Sequence, residues 1–322
     1  MVTFVYSPEY YCDIGPHVFP VVKFRLLYER IKDDPAFARA RFLSPTPVSA
    51  EDLHLVHTKE YIRDILSYRH TELTQSSELP ISKQIIGSYL IGTGGTLLAA
   101  EEALLVAQPP SAVQNRRGDG ASEGGRATRL NAGMNLTGGF HHAFPDHAEG
   151  FCYVNDVAIA IRKLQLERKI KRAFVVDCDL HQGNGTAYIF QDEPEVFTFS
   201  IHQEDLYPFK QRSSLDIGLP DLTGDQEYLA HLERHVPRVM EEFRPDIVFY
   251  LAGADPYEGD QLGSLRLTMK GLRRRDELVF KECAGRGVPV CVVVAGGYAF
   301  HAEDTIRIHC NTGRALMESF GG

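Results

Sequence analysis

The chain has 322 residues, 43% hydrophobic and 24% charged, a composition that excludes a wholly disordered, collagen-like or disulfide-scaffold protein and allows a large buried core. Its 34 Lys and Arg against 43 Asp and Glu leave a net charge of −9, which argues against a nucleic-acid-binding surface. Six scattered cysteines (Cys12, Cys152, Cys178, Cys283, Cys291, Cys310) form no C-x-x-C pair, so reduced thiols in a cytoplasmic protein are expected.

In chain order, the opening MVTFVYSPEYYCDIG lacks a basic leader and is broken by Glu9 and Asp13, so no cleaved signal peptide is expected. Thr96 is placed to cap a helix over LLAAEEALL, and the Gly-rich stretch Gly92 to Gly95 reads as packing at that helix entry. Residues 108–129, rich in Pro, Gly, Ser and Arg, carry almost nothing to bury and read as a flexible surface insertion. Asn155 or Asp156 then caps a helix through Ile159, Ile161 and Leu164. From residue 172, apolar runs RAFVVD, VFTFSI, DIVFYLAGAD and VPVCVVVAGGY alternate with helically spaced sets such as Tyr228, Leu232, Val236, Val239, Met240 and Phe243. This alternation predicts a single-domain α/β fold over residues 1–322: an open parallel sheet flanked by helices, with the active site at the C-terminal ends of the strands. The most apolar run, Val288 to Phe300, is too short to span a bilayer.

The residues that follow each apolar run carry the chemistry. Asp177, Asp179 and His181 alternate, so on an extended segment all three face one space. Carboxylates and imidazole suit zinc or iron, and a catalytic ion takes about three protein ligands, so Asp179 and His181 need one more; Asp255 is the natural third. Alone, a D-x-H is no more than a hydrogen-bonded strand end. The tandem His141-His142 follows Gly138-Gly139, and Asp177 and Asn184 are each able to orient one of the two rings as an acid–base pair. Cys178, between two aspartates, is disfavoured as a thiolate and reads as a small strand residue. Asn135-Leu136-Thr137 and Asn184-Gly185-Thr186 match glycosylation acceptors, but with no secretory signal expected they are not read as modification sites.

Taken together, GGFHHAFPDHAEGFCYVNDVA, VVDCDLHQGNG, LAGADPYEGD and AGGY, in that order, resemble the histone deacetylase family of the arginase/deacetylase fold. The resemblance implies that Asp179, His181 and Asp255 hold the catalytic metal, Zn2+ with Fe2+ as the alternative. His142 would act as general base, His141 as its electrostatic partner paired with Asp177, and Tyr298 as the hydroxyl that stabilises the oxyanion. It further implies a structural K+ held by Asp177 and Ser200 with carbonyls of Asp179, His181 and Ile201, and a substrate tunnel walled by Gly150, Phe151 and Leu262. Asn184 stands where class I enzymes carry Asp, and Gln182 where they carry a second His. With GPHVFPVVKF and GDQLGSLRLT, these departures look most like class IV and bacterial members. The implied activity is removal of acetyl or other acyl groups from lysine in a protein or peptide. The competing readings are hydrolysis of a small acylated amine such as an acetylpolyamine, and an inactive acyl-lysine-binding module. An arginase-like two-metal site is disfavoured, because Pro256 rather than a further acid follows Asp255. No nucleic-acid or membrane partner is expected, and oligomeric state is not encoded in any motif.

Overall fold

Runs that are apolar on both alternating faces must be covered on both faces, and here they form one sheet. The computed structural model describes residues 1–105 and 130–321, so the insertion expected at 108–129 lies outside the described residues. The strands are β1 (Val2–Val5), β2 (Arg41–Leu43), β3 (Ala132–Asn135), β4 (Ala173–Asp177), β5 (Val196–Gln203), β6 (Leu215–Leu219), β7 (Ile247–Leu251) and β8 (Val290–Val293). Every pairing is parallel, and the spatial order is β2-β1-β3-β8-β7-β4-β5-β6. Phe174, Val176, Val248, Tyr250 and Val292 bury against one layer of helices, including Val22–Asp33, Asp225–Phe243, Met269–Arg286 and Ala302–Phe320. Their neighbours Val175, Phe249, Leu251 and Val293 bury against the other, where Lys83–Leu104 and Asp156–Leu166 lie.

The expected fold class is therefore observed, with two corrections among the elements. Thr96 is no helix cap: it sits inside the long helix Lys83–Leu104, which Ser82 caps by accepting the Ile85 N–H. The Gly92 to Gly95 stretch is likewise mid-helix, where a Cβ on Gly94 would come within 1.8 Å of the Thr46 carbonyl oxygen and one on Gly95 within 2.1 Å of the Tyr10 hydroxyl. These glycines allow close helix-to-backbone approach, which outweighs their poor helix propensity. The cap of the helix Asp156–Leu166 is Asn155, whose side chain accepts the Ala158 N–H.

The strand order reverses between β3 and β4, and β8 and β7 fill the gap. Asn135, Val293, Leu251, Asp177 and Ser200 pair in one row across the sheet. Whatever follows these five residues emerges at one height, beside the crevice where such sheets bind ligands.

Candidate active site

β4 ends at Asp177, so strand alternation does not bring Asp179 and His181 together. The loop does: the Asp179 N–H returns to Asp177 Oδ1 at 3.1 Å and the His181 N–H to Asp179 Oδ1 at 3.0 Å, two successive side-chain-closed turns. Asp255 joins them from the end of β7, accepting the Leu180 N–H at 3.0 Å, while Asp179 Oδ2 accepts the Gly296 N–H at 2.7 Å. Beneath both loops the fully buried Arg275 donates to the Gly253 and Cys178 carbonyls at 2.6 and 3.2 Å. Ligand atoms of Asp179, His181 and Asp255 lie within 4.8 Å of one another, and all three residues are buried.

These three groups fit a divalent cation. Asp255 Oδ2 is buried without a hydrogen-bond partner, although His181 Nδ1 stands 3.4 Å away and also 3.3 Å from Asp179 Oδ1. Burial and the neighbouring Asp179 charge push the Asp255 carboxyl up to about 7. Burial alone would lower His181, but the neighbouring Asp179 and Asp255 carboxylates lift it to about 10. A cluster that draws in a proton in this way is one whose charge a cation would compensate, and two oxygens with an imidazole suit zinc or iron.

The two histidines arrive from the loop after β3. Gly138 and Gly139 have φ of +85° and +79°, and Asp156 accepts the Gly139 and Phe140 N–H groups at 3.0 and 2.7 Å, pinning the loop. The rings of His141 and His142 are 4.1 Å apart, yet their Nδ1 atoms meet different partners. His141 bonds Asp177 Oδ2 at 2.8 Å, and His142 bonds Asn184 Oδ1 at 2.7 Å. Burial lowers both, but the charges of Asp177 and Asp179 outweigh it at His141 and raise that ring to about 9. At His142, burial and then the positive His141 and His181 hold the ring well below the usual histidine range.

A pocket opens onto this group, lined by His141, His142, Asp179, His181, Gly150, Phe151 and Tyr298 among others. Gly150 and Phe151, with φ of +50° and +60°, form the centre of a tight turn closed by hydrogen bonds between Glu149 and Cys152. A left-handed phenylalanine is costly, and here the turn delivers its ring to the wall. Leu262 does not line this pocket; its N–H is held by Asp260 Oδ1.

Several residues to which no motif assigns a role also hold or complete the site. The Tyr207 ring lies 5.4 Å from that of His142 and 6.1 Å from that of His181. Asp260 accepts the Tyr298 N–H at 2.7 Å, fixing the Gly-Gly-Tyr loop, and its only sequence signal was its place within the LAGADPYEGD motif. The buried Lys23 donates to the Ala295 carbonyl at 2.8 Å and lies 5.5 Å from the Tyr298 ring, with burial pulling its ammonium down to about 8. Gln182 bonds Gln211 and Asp216, tying the DLHQGNG loop to the approach of β6. Cys178 is pushed up to about 12, chiefly by burial and only secondarily by Asp177, so it is no nucleophile. Asn135 and Asn184 are buried and unavailable for glycosylation. All six cysteines are free and buried, and no described helix is long and apolar enough to cross a membrane.

The profile of the histone deacetylase domain matches residues 17–312. Among curated sequences, the chain is 31% identical to the acetoin utilization protein AcuC of Bacillus subtilis over 92% of this chain and 77% of that one. It is 30% identical to a probable deacetylase of Archaeoglobus fulgidus, covering 92% and 80%, and 27% identical to histone deacetylase 2 of Arabidopsis thaliana, covering 92% and 74%. The crystal structure of the HDA15 HD domain superposes with a TM-score of 0.74 at 21% identity, covering 98% of this chain and 90% of that one, a likeness of fold. With its sheet, its strand-end residues and this profile in agreement, the chain belongs to the histone deacetylase family.

Proposed function

We propose that this protein is a metal-dependent amidohydrolase that removes acetyl or other acyl groups from the Nε of lysine. The observation that carries the reading is the unequal pairing of His141 with a carboxylate and His142 with an amide, on a pocket that Asp179 and His181 of the cation-fitting trio with Asp255 also line. A zinc or iron ion on those three residues would supply Lewis acidity toward water and the amide carbonyl. His142, neutral, takes the proton of the attacking water and passes it to the departing lysine amine. His141, held charged by Asp177, places a positive field beside that transfer. Tyr298, whose hydroxyl is kept protonated by burial, donates to the carbonyl oxygen as it gains negative charge. Gly150 and Phe151, which line the pocket, would flank the methylenes of the lysine. Asp177 and Ser200, paired across β4 and β5 and both buried, would hold a structural potassium ion with carbonyls of Asp179, His181 and Ile201.

The test is turnover of an acetyl-lysine peptide beside an N-acetylpolyamine by metal-loaded protein, with His142→Ala as the blank. Peptide turnover that the substitution abolishes, with metal content intact, supports the lysine-deacylase reading. Turnover of the polyamine alone moves the function to small-amine hydrolysis, and turnover of neither acetyl nor longer acyl substrates moves it to a binding role.

A further inference from the structure

Asn184 bonds His142 on one side and a carboxylate on the other. Its Oδ1 lies 2.7 Å from His142 Nδ1, and its Nδ2 donates to Glu149 Oε1 at 2.8 Å. The same Glu149 oxygen accepts the Tyr207 hydroxyl at 3.0 Å, and Glu149 Oε2 lies 3.5 Å from His147 Nε2, whose Nδ1 is 2.7 Å from Asp146. An amide side chain has a donor end and an acceptor end of nearly equal shape, and only its partners decide which way it points. A carboxylate accepts and never donates, so Glu149 takes the NH2 end of Asn184 and leaves the carbonyl end facing His142. A carbonyl accepts only, so His142 Nδ1 must carry the hydrogen, and the lone pair rests on Nε2, the nitrogen Asn184 does not engage.

Burial raises the Glu149 carboxyl, but bonds from His147, Asn184 and Tyr207 outweigh it and keep it below the usual glutamate range, hence ionised. The turn brings Glu149 within reach because residue 150 is glycine: a Cβ there would come within 2.6 Å of the His142 ring and 2.7 Å of the Tyr207 hydroxyl.

We infer that Glu149 is a positioning residue: it selects the orientation of the Asn184 amide and, through it, the Nδ1–H tautomer of His142. The inference rests on the reading of His142 as the proton-transferring histidine. An aspartate at 184 would offer an acceptor oxygen whichever way it turned, so the need for Glu149 arises from the amide.

The experiment uses the full chain, metal-loaded, as Glu149→Ala, Glu149→Gln, Asn184→Asp and the double variant Glu149→Ala/Asn184→Asp. With an acetyl-lysine peptide, Glu149→Ala is expected to lower kcat about 10- to 100-fold with KM little changed. Glu149→Gln keeps an oxygen that the Tyr207 hydroxyl and the Asn184 NH2 can both donate to, although its own NH2 can also turn toward Asn184, so it recovers part of that loss. In the Asn184→Asp background, removing Glu149 no longer lowers the rate and instead relieves two facing carboxylates. Equal losses in both backgrounds would show a merely structural role and overturn the inference. The 15N imidazole spectrum of His142, assigned by its absence in His142→Ala, reads the tautomer without any substrate. Nδ1–H in the parent protein and in Glu149→Gln, with Nε2–H appearing in Glu149→Ala, supports positioning even if acyl-lysine is not turned over, in which case the functional reading alone fails. An unchanged tautomer in Glu149→Ala refutes positioning whatever the turnover.

Discussion

Two adjacent histidines of one loop differ in protonation because their Nδ1 atoms meet different groups: full negative charge at Asp177, a neutral amide at Asn184. Burial lowers both rings, so the sign of the outcome is set by the partner, and the pair divides into one charged and one neutral imidazole without any difference in residue type. Tyr298 is a third case of the same physics. Burial, reinforced by Asp255 and Asp179, raises its hydroxyl well above the usual tyrosine range, so it keeps its proton and can donate. Its reach is set by Asp260 through the Tyr298 backbone N–H. Tyr298→Phe deletes the donor and keeps the ring, so it is expected to lower kcat about 100-fold or more with KM little changed. Steady-state kinetics with metal analysis of the same sample checks this; undiminished kcat would remove the hydroxyl from the chemistry.

At the level of elements, the helix Lys83–Leu104 shows how contact overrides propensity. Gly87 has no heavy atom within 4 Å of a built Cβ, whereas at Gly94 that Cβ meets the Thr46 backbone. Gly87→Ala should therefore stabilise by about 0.5–1 kcal/mol through reduced backbone freedom. Gly94→Ala should destabilise by about 1–3 kcal/mol, because backbone on the far side must move. Urea denaturation of both variants decides it, and equal effects would show that the helix packs elsewhere. The same packing explains what was hidden in the sequence. β4, β5, β7 and β8 were legible because strands buried on both faces read as unbroken apolar runs. β1 and β3 were not, since Thr3, Gly133 and Asn135 interrupt them for contacts made by other elements. Residues placed at strand ends, from Asp177 to Tyr298, could be picked out by position. Glu149 and Asp260 act across 35 and 38 residues of chain through a loop and a backbone N–H, and no spacing rule links them to their targets.

Across the whole molecule, His57 joins the N-terminal third to the loop that carries His141 and His142. It is buried, with Nδ1 donating to the Phe144 carbonyl at 2.9 Å and Nε2 accepting the Asn155 N–H at 3.1 Å. A charged ring would keep the first bond but could not accept the second. Asn155 caps the helix Asp156–Leu166 and its Nδ2 donates to the Ala143 carbonyl and Thr186 hydroxyl, so protonating His57 would disturb the segment that carries His141 and His142. Burial lowers His57 to about 4, while the unfolded chain keeps the ordinary value near 6.5. As pH falls below about 6.5, the unfolded state takes up the proton and the folded state does not. Stability is thus fully present above that pH and is lost progressively until the folded ring also titrates near 4, a change on the order of 3 kcal/mol from this residue. Other buried histidines, His202 among them, are lowered in the same direction, so the slope for the parent protein contains several contributions. His57→Gln removes one of them: whatever its stability at pH 7, its unfolding free energy should fall less steeply between pH 6.5 and 4 than that of the parent. Urea denaturation at half-unit pH steps measures the difference, and parallel curves would mean that His57 titrates alike in the folded and unfolded chains.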